Sequence, residues 1–222
     1  MIKLRISVCL VLVLTIALGV WGWSYKDTYT DITNEVDYLD TMMVGEAPES
    51  IAVNDCEVLA SSLPQVDYIF RVTASESIEH LYGVSQQKVV VQEVYAGDSS
   101  LVGNEIYITT RHWYIYIEDG QRLLGCGFVN YLALGKDYLV FCSEQVNTKS
   151  EGIAVYRIYE GSYITPVFCY ADIENEIVAV AGMSTYVSYE KVKENEFFAT
   201  TEGGLAAWRK LKKEMLNLFP SG

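Results

Sequence analysis

An all-β domain carried behind one amino-terminal membrane-spanning helix is the fold class that the sequence predicts. Two observations predict it. Residues Ile6 to Tyr25 contain no charged side chain and follow Lys3 and Arg5. Such a stretch, about 20 residues in a helix, rises about 30 Å and so matches the hydrocarbon core of a bilayer. From Val66 onward, short runs of β-branched and aromatic residues alternate with Gly and Asp turn signals, the texture of a sandwich or barrel.

The elements follow in order. Residues 1–25 read as a signal anchor, a single pass through the cell membrane via residues 6–25. Lys3 and Arg5 stay on the cytoplasmic side, so the acidic remainder lies outside the cell. Trp21, Trp23 and Tyr25 form an aromatic belt at the outer interface. Ala17-Leu18-Gly19 is a small-x-small site, and cleavage there would release a secreted, soluble form. A buried core helix is disfavoured, because the run has no polar face. Cys9 precedes the apolar centre Val11-Leu12-Val13-Leu14, whereas a lipid-modified cysteine would follow it.

Residues 26–62 are polar and acidic and read as a stalk or leader segment, with a short helix permitted over Asp31 to Met43. Residues 63–222 form the β domain. Its expected strands are Val66 to Ala74, Lys88 to Tyr95, Glu105 to Thr109, Arg111 to Ile117, Phe128 to Leu132, Asp137 to Cys142, Ile153 to Tyr159 and Ile177 to Ala181. Leu205 to Phe219 breaks this pattern: Leu205, Trp208, Leu211 and Met215 share one arc of a helical wheel, opposite Arg209, Lys210, Lys213 and Glu214. It reads as a C-terminal amphipathic helix packed on the β domain, with a basic helix lying on an anionic membrane as the alternative.

The net charge of -13 repels phosphates, so nucleic acid is not an expected partner. Beyond the anchor lie Cys56, Cys126, Cys142 and Cys169. This even set permits two disulfides in any of three pairings, or buried thiols. No C-x-x-C pair points to structural zinc, and there is no glycosylation sequon.

Histidine is scarce: His80 and His112 are the whole supply. No H-E-x-x-H, G-x-S-x-G or phosphate-binding Gly-rich loop occurs, so no catalytic, metal or cofactor residues are assigned and the chain is not expected to be an enzyme. An enzyme using one of the two histidines with nearby carboxylates is the reading opposed to this. Asp172-Ile173-Glu174-Asn175-Glu176 alternates acidic residues as calcium loops do, but Ile177 stands where a Gly would be needed, so it reads as a solvated turn. The best candidate binding surface is Trp113-Tyr114-Ile115-Tyr116-Ile117. Strand alternation sets His112, Tyr114 and Tyr116 on one face, against Trp113, Ile115 and Ile117 on the other.

Several segments together resemble the netrin-like domain, the barrel of the tissue inhibitors of metalloproteinases. Val66-Asp67-Tyr68-Ile69-Phe70-Arg71-Val72-Thr73-Ala74 is similar to that family's first strand. Val89 to Tyr95 with Ala96-Gly97-Asp98 is similar to the second strand and its turn, and Glu105 to Thr109 to the third. Cys126-Gly127, then Gly135-Lys136-Asp137-Tyr138-Leu139, then Cys169 and the closing helix follow in the family's order. The resemblance spans about Cys56 to Phe219. It implies a five-stranded barrel of the oligomer-binding (OB) type and a Cys56–Cys126 disulfide. Cys142 and Cys169 depart from the family's cysteine pattern and are left either as a second bridge or as thiols. The function expected is non-catalytic binding of an extracellular protein or envelope component. Protease inhibition is the alternative the resemblance implies. It would need a cut between Asp55 and Cys56, because the family's mechanism uses the free α-amine of an amino-terminal cysteine.

Overall fold

The computed structural model describes residues 2–26, 37–81, 84–177 and 186–222. Helix α1, Ile2–Lys26, is long and apolar enough to cross a membrane, with a mean hydropathy of 2.3 over Arg5–Tyr25. It belongs to one compact unit, Met1–Tyr38, and a second unit runs from Leu39 to Gly222. The elements of the second unit are β1 (Met43–Gly45), α2 (Glu49–Ser62), β2 (Tyr68–Ala74), β3 (Glu79–Leu81) and β4 (Val84–Ala96). Then come β5 (Glu105–Thr110), β6 (Tyr114–Glu118), β7 (Gln121–Gly125), β8 (Asp137–Ser150), β9 (Ile153–Ile158) and β10 (Val167–Cys169). Last are β11 (Tyr186–Ser188), α3 (Tyr189–Val192) and α4 (Glu202–Leu218).

Five strands make a ring, in the order β8-β2-β4-β5-β9, and β9 returns to pair with β8. Four of the pairings are antiparallel and β5–β9 is parallel. Phe70 of β2 and Tyr156 of β9 are not on paired strands, yet their rings meet edge to face at 5.3 Å, so they touch across the ring. The opposite face of β8 carries Leu139 and Phe141. There Phe141 meets Phe168 at 5.9 Å, and Phe168 stacks on Trp208 of α4 at 4.9 Å. Burial on both faces explains why Tyr138 to Cys142 is a continuous apolar run rather than an alternating one.

The smaller sheet has the order β11-β1-β7-β6. The chain as a whole is sheet-rich but not all-β, because helices take up nearly as much of it as strands. The main source of that correction is α2, inside the segment read as a stalk. It buries Ala52, Asp55, Cys56 and Leu59, an i, i+3, i+4, i+7 stripe, and packs on α4. Residues 43–62 are therefore part of the domain. Of the helix expected over residues 31–43, residues 31–36 lie outside the described residues, Tyr38–Thr41 is one 3-10 turn and Met43 is already in β1. Phe128 to Leu132 is irregular, joined to the sheet system by a Val129–Phe197 bridge. Most of the strand expected over 177–181 falls outside the described residues. Helix α4 starts at Glu202, ahead of the expected Leu205: Thr201 caps it by accepting from Gly204 N at 3.2 Å.

No cysteine is bridged; Cys9, Cys56, Cys126, Cys142 and Cys169 are all thiols. Strand register explains this for the second proposed pair. Cys169 lies opposite Tyr138, four residues along β8 from Cys142. At about 3.3 Å per residue that is about 13 Å, beyond the roughly 7 Å reach of a disulfide. Cys56 faces α4 beside Leu211, whereas Cys126 follows β7. Burial pushes the Cys56 and Cys126 thiols up to about 12 each, and Cys142 higher still. Intact mass after denaturing alkylation is accordingly expected to be the same with and without prior reduction. A reduction-dependent gain would reinstate a bridge.

Candidate functional site

Strand β6 and its neighbours present three tyrosines on one face. Tyr114 and Tyr116 are two residues apart on β6, and their rings lie 4.8 Å apart at 31°. Register carries this face across the sheet: Tyr114 opposes Gly125, Tyr116 opposes Leu123, and Gly45 opposes Tyr186 on β11. Two glycines form the floor. A Cβ on Gly125 would sit 2.7 Å from the Tyr114 ring, and one on Gly45 would sit 3.7 Å from the Tyr186 ring. Lacking side chains, these positions let the rings lie against neighbouring backbone. Tyr186 Oη donates to Glu118 Oε2 at 2.8 Å, which holds that ring in place. Tyr114 is 37% exposed and Tyr116 is half-buried. Burial pushes both phenols upward, Tyr116 to about 12, so they are neutral donors at physiological pH.

His112 does not join this face. Strand β6 begins only at Tyr114, and His112 sits in the turn before it. Thr165 Oγ1 donates to Cys126 O at 3.1 Å, so its single proton is used, and His112 Nδ1–H donates to that oxygen across 3.1 Å. Burial pushes the His112 imidazole down, partly offset by the Glu160 charge. Trp113 likewise precedes the strand, whereas along β6 Tyr114 and Tyr116 alternate with Ile115 and Ile117. Trp113 is fully buried, but Ile117, assigned to the same face, is 75% exposed.

His80 is half-buried. Its Nδ1 lies 2.6 Å from Ser85 Oγ, its ring meets Tyr131 at 6.0 Å, and burial pushes it down to about 4. Ser85 is 1% exposed and His80 is half-buried, so the pair is a hydrogen bond at the edge of the domain interior. Among the described residues no group of three or more His, Cys, Asp and Glu is placed to hold a metal ion. Asn175, in the alternating acidic segment, is buried and accepts from Glu196 N at 2.7 Å and Phe197 N at 2.9 Å.

Tyr186 was not singled out from the sequence, because it joins Tyr116 only through β1 and β7. The available signal was local: Tyr186-Val187-Ser188 alternates, as a strand with one buried face should. No protein-family model matches the chain, and no curated protein matches it either.

Proposed function

We propose that this protein is a membrane-anchored, non-catalytic binding protein, whose domain lies outside the cell and whose five-strand ring is an OB-type barrel. The ring order and its one parallel pair support the barrel reading, and the netrin-like resemblance agrees with both. The basic flank of α1 supports the orientation. The observation that carries the binding role is the Tyr114–Tyr116–Tyr186 face. Tyrosine offers wide contact area, few rotatable bonds and a hydrogen-bonding tip, which is why it is enriched where proteins bind partners. The partner is a protein or envelope component that lays an apolar edge and hydrogen-bond acceptors across the rings.

Inhibition of a protease through Cys56 has less support. Cys56 lies inside α2 and is 5% exposed, so freeing its amine would mean cutting a packed helix.

The test is capture of envelope components by the full-length protein in nanodiscs. Tyr114→Ala combined with Tyr116→Ala is expected to abolish capture while lowering domain stability by no more than about 2 kcal/mol. Unchanged capture would remove this face as the binding surface.

A further inference from the structure

A second, separate site lies on the five-strand ring. A cleft of about 440 Å³ opens over β4, β5 and the β8–β9 hairpin. That volume is within the roughly 300–1,000 Å³ typical of small-molecule sites. The protein carries a net charge of -13, yet the cleft is lined by Arg111, Lys149 and Arg157, and among the described residues no carboxylate lines it. Its remaining polar lining is hydroxyl and amide: Thr109, Thr110, Thr148, Ser150 and Gln86.

A backbone irregularity lies beside this lining. Between Val146 and Lys149 the register of β8 against β9 slips: Val146 faces Val155 and Lys149 faces Ala154. Asn147 and Thr148 are therefore additional residues on the β8 side, a bulge. After the bulge the pairing is regular again, Lys149 opposite Ala154 and Ser150 opposite Ile153. Thr148, Lys149 and Ser150 all border the cleft.

Three carboxylates lie beside the site, Glu144 and Glu160 against its two arginines and Glu79, whose Oε2 accepts from Gln86 Nε2 at 2.8 Å. Arg157 Nη1 meets Glu144 Oε1 at 2.5 Å, but Glu144 is 53% exposed. Arg111 Nε meets Glu160 Oε2 at 3.5 Å, with Arg111 77% exposed. Arg157 and Glu160 are themselves only 32% and 18% exposed, so an incoming oxyanion would compete with these carboxylates for the two guanidinium groups. Glu160 is also occupied from behind, because its Oε1 accepts from Thr110 Oγ1 at 3.0 Å and from Arg111 N.

We propose that this cleft binds a small soluble oxyanion of the carboxylate or phosphate class, held by Lys149, Arg157 and Arg111, with the hydroxyl and amide lining meeting its uncharged part. Guanidinium forks match the planar oxygen pairs of both groups. Lys149 adds a point charge. The site is independent of the tyrosine face.

The test is calorimetric titration of the full-length protein in uncharged detergent. Pyrophosphate and citrate are the probes, and maltose is the uncharged comparator. At low salt at least one of the two oxyanions is expected to bind with Kd below about 1 mM, and maltose is expected not to bind. Lys149→Gln combined with Arg157→Gln is expected to weaken that binding at least about tenfold, as is raising the salt until the screening length falls to about 3 Å. If the double variant melts early, Lys149→Gln alone carries the test, because its side chain is exposed; a loss of at least about threefold is then expected. The Tyr114→Ala/Tyr116→Ala protein should bind the oxyanion normally, so failure at either site can be told apart. The proposal is overturned if neither oxyanion binds, if maltose binds as well, or if the charge-removing variants bind unchanged.

Discussion

Trp208→Ala is expected to lower the unfolding free energy of the domain by about 3–5 kcal/mol. Trp208 is fully buried on α4, between Phe197 at 4.8 Å and 9° and Phe168 at 4.9 Å and 23°. Phe168 continues to Phe141 on the ring, so the indole is the central member of an aromatic stack that seats α4 on β8 and β10. Truncation removes the stacking contacts and leaves a cavity between two flat rings that cannot close over it. Urea denaturation followed by circular dichroism reads the loss as a lower midpoint with an unchanged slope. A loss below about 1 kcal/mol would mean that α4 is not seated through this residue.

The second large effect concerns the ion pair that locks the same helix. Glu196 is 3% exposed and receives Lys212 Nζ at 2.5 Å. Its other oxygen accepts from Cys169 N at 2.7 Å, and Lys212 also donates to Ala171 O at 3.1 Å. Lys212→Met leaves the carboxylate buried without its cation and is expected to destabilise the domain by about 3–5 kcal/mol at neutral pH. The loss should shrink as the pH falls. Burial holds the Glu196 carboxyl above 4.5, while Lys212 works against that shift through its charge and hydrogen bond. A carboxyl raised in the folded state contributes its full stability below the unfolded value, and that contribution is lost as pH rises through the folded value. Removing Lys212 raises the folded value further, so the variant should regain stability between neutral pH and about pH 4.5 relative to the unsubstituted protein. Parallel curves across that window would contradict this account.

Much of the ring could be read from the chain alone, because its strands bury at least one face and carry β-branched and aromatic residues. Tyr68–Ala74 and Glu105–Thr110 fall within a residue or two of expectation. The β8–β9 hairpin runs further than expected, because the arm past Cys142 is half-exposed and polar. Its pairing there rests on backbone hydrogen bonds rather than on an apolar pattern.

Helix α2 was missed for a different reason. Its buried stripe includes Asp55, whose carboxylate accepts from Ser162 Oγ at 2.7 Å and Tyr163 N at 2.8 Å. A polar residue satisfied by a distant loop breaks the apolar periodicity on which sequence reading depends. The tyrosine face was legible in Tyr114 and Tyr116 but not in Tyr186, since only strand order across β1 and β7 brings it alongside. His112 was misplaced because the strand was started too early, and a one-residue error in register moves a side chain to the other face. The cleft was invisible because its lining is brought together from β4, β5, β8 and β9 only when the ring forms.

The packing of α2 on α4 also sets when the domain can become native during synthesis. Strands β2, β4 and β5 can begin to pair as they emerge, but the surface of α2 and the outer face of β8 stay uncovered until residues Glu202–Leu218 arrive. The ring itself closes only through β8–β9 and β5–β9, contacts distant from its first strand, which is the topology associated with slow folding. Helix α4 is thus the element that completes the packing of α2, and a chain stopped before Thr201 would leave apolar surface on α2 and β8 open to chaperones.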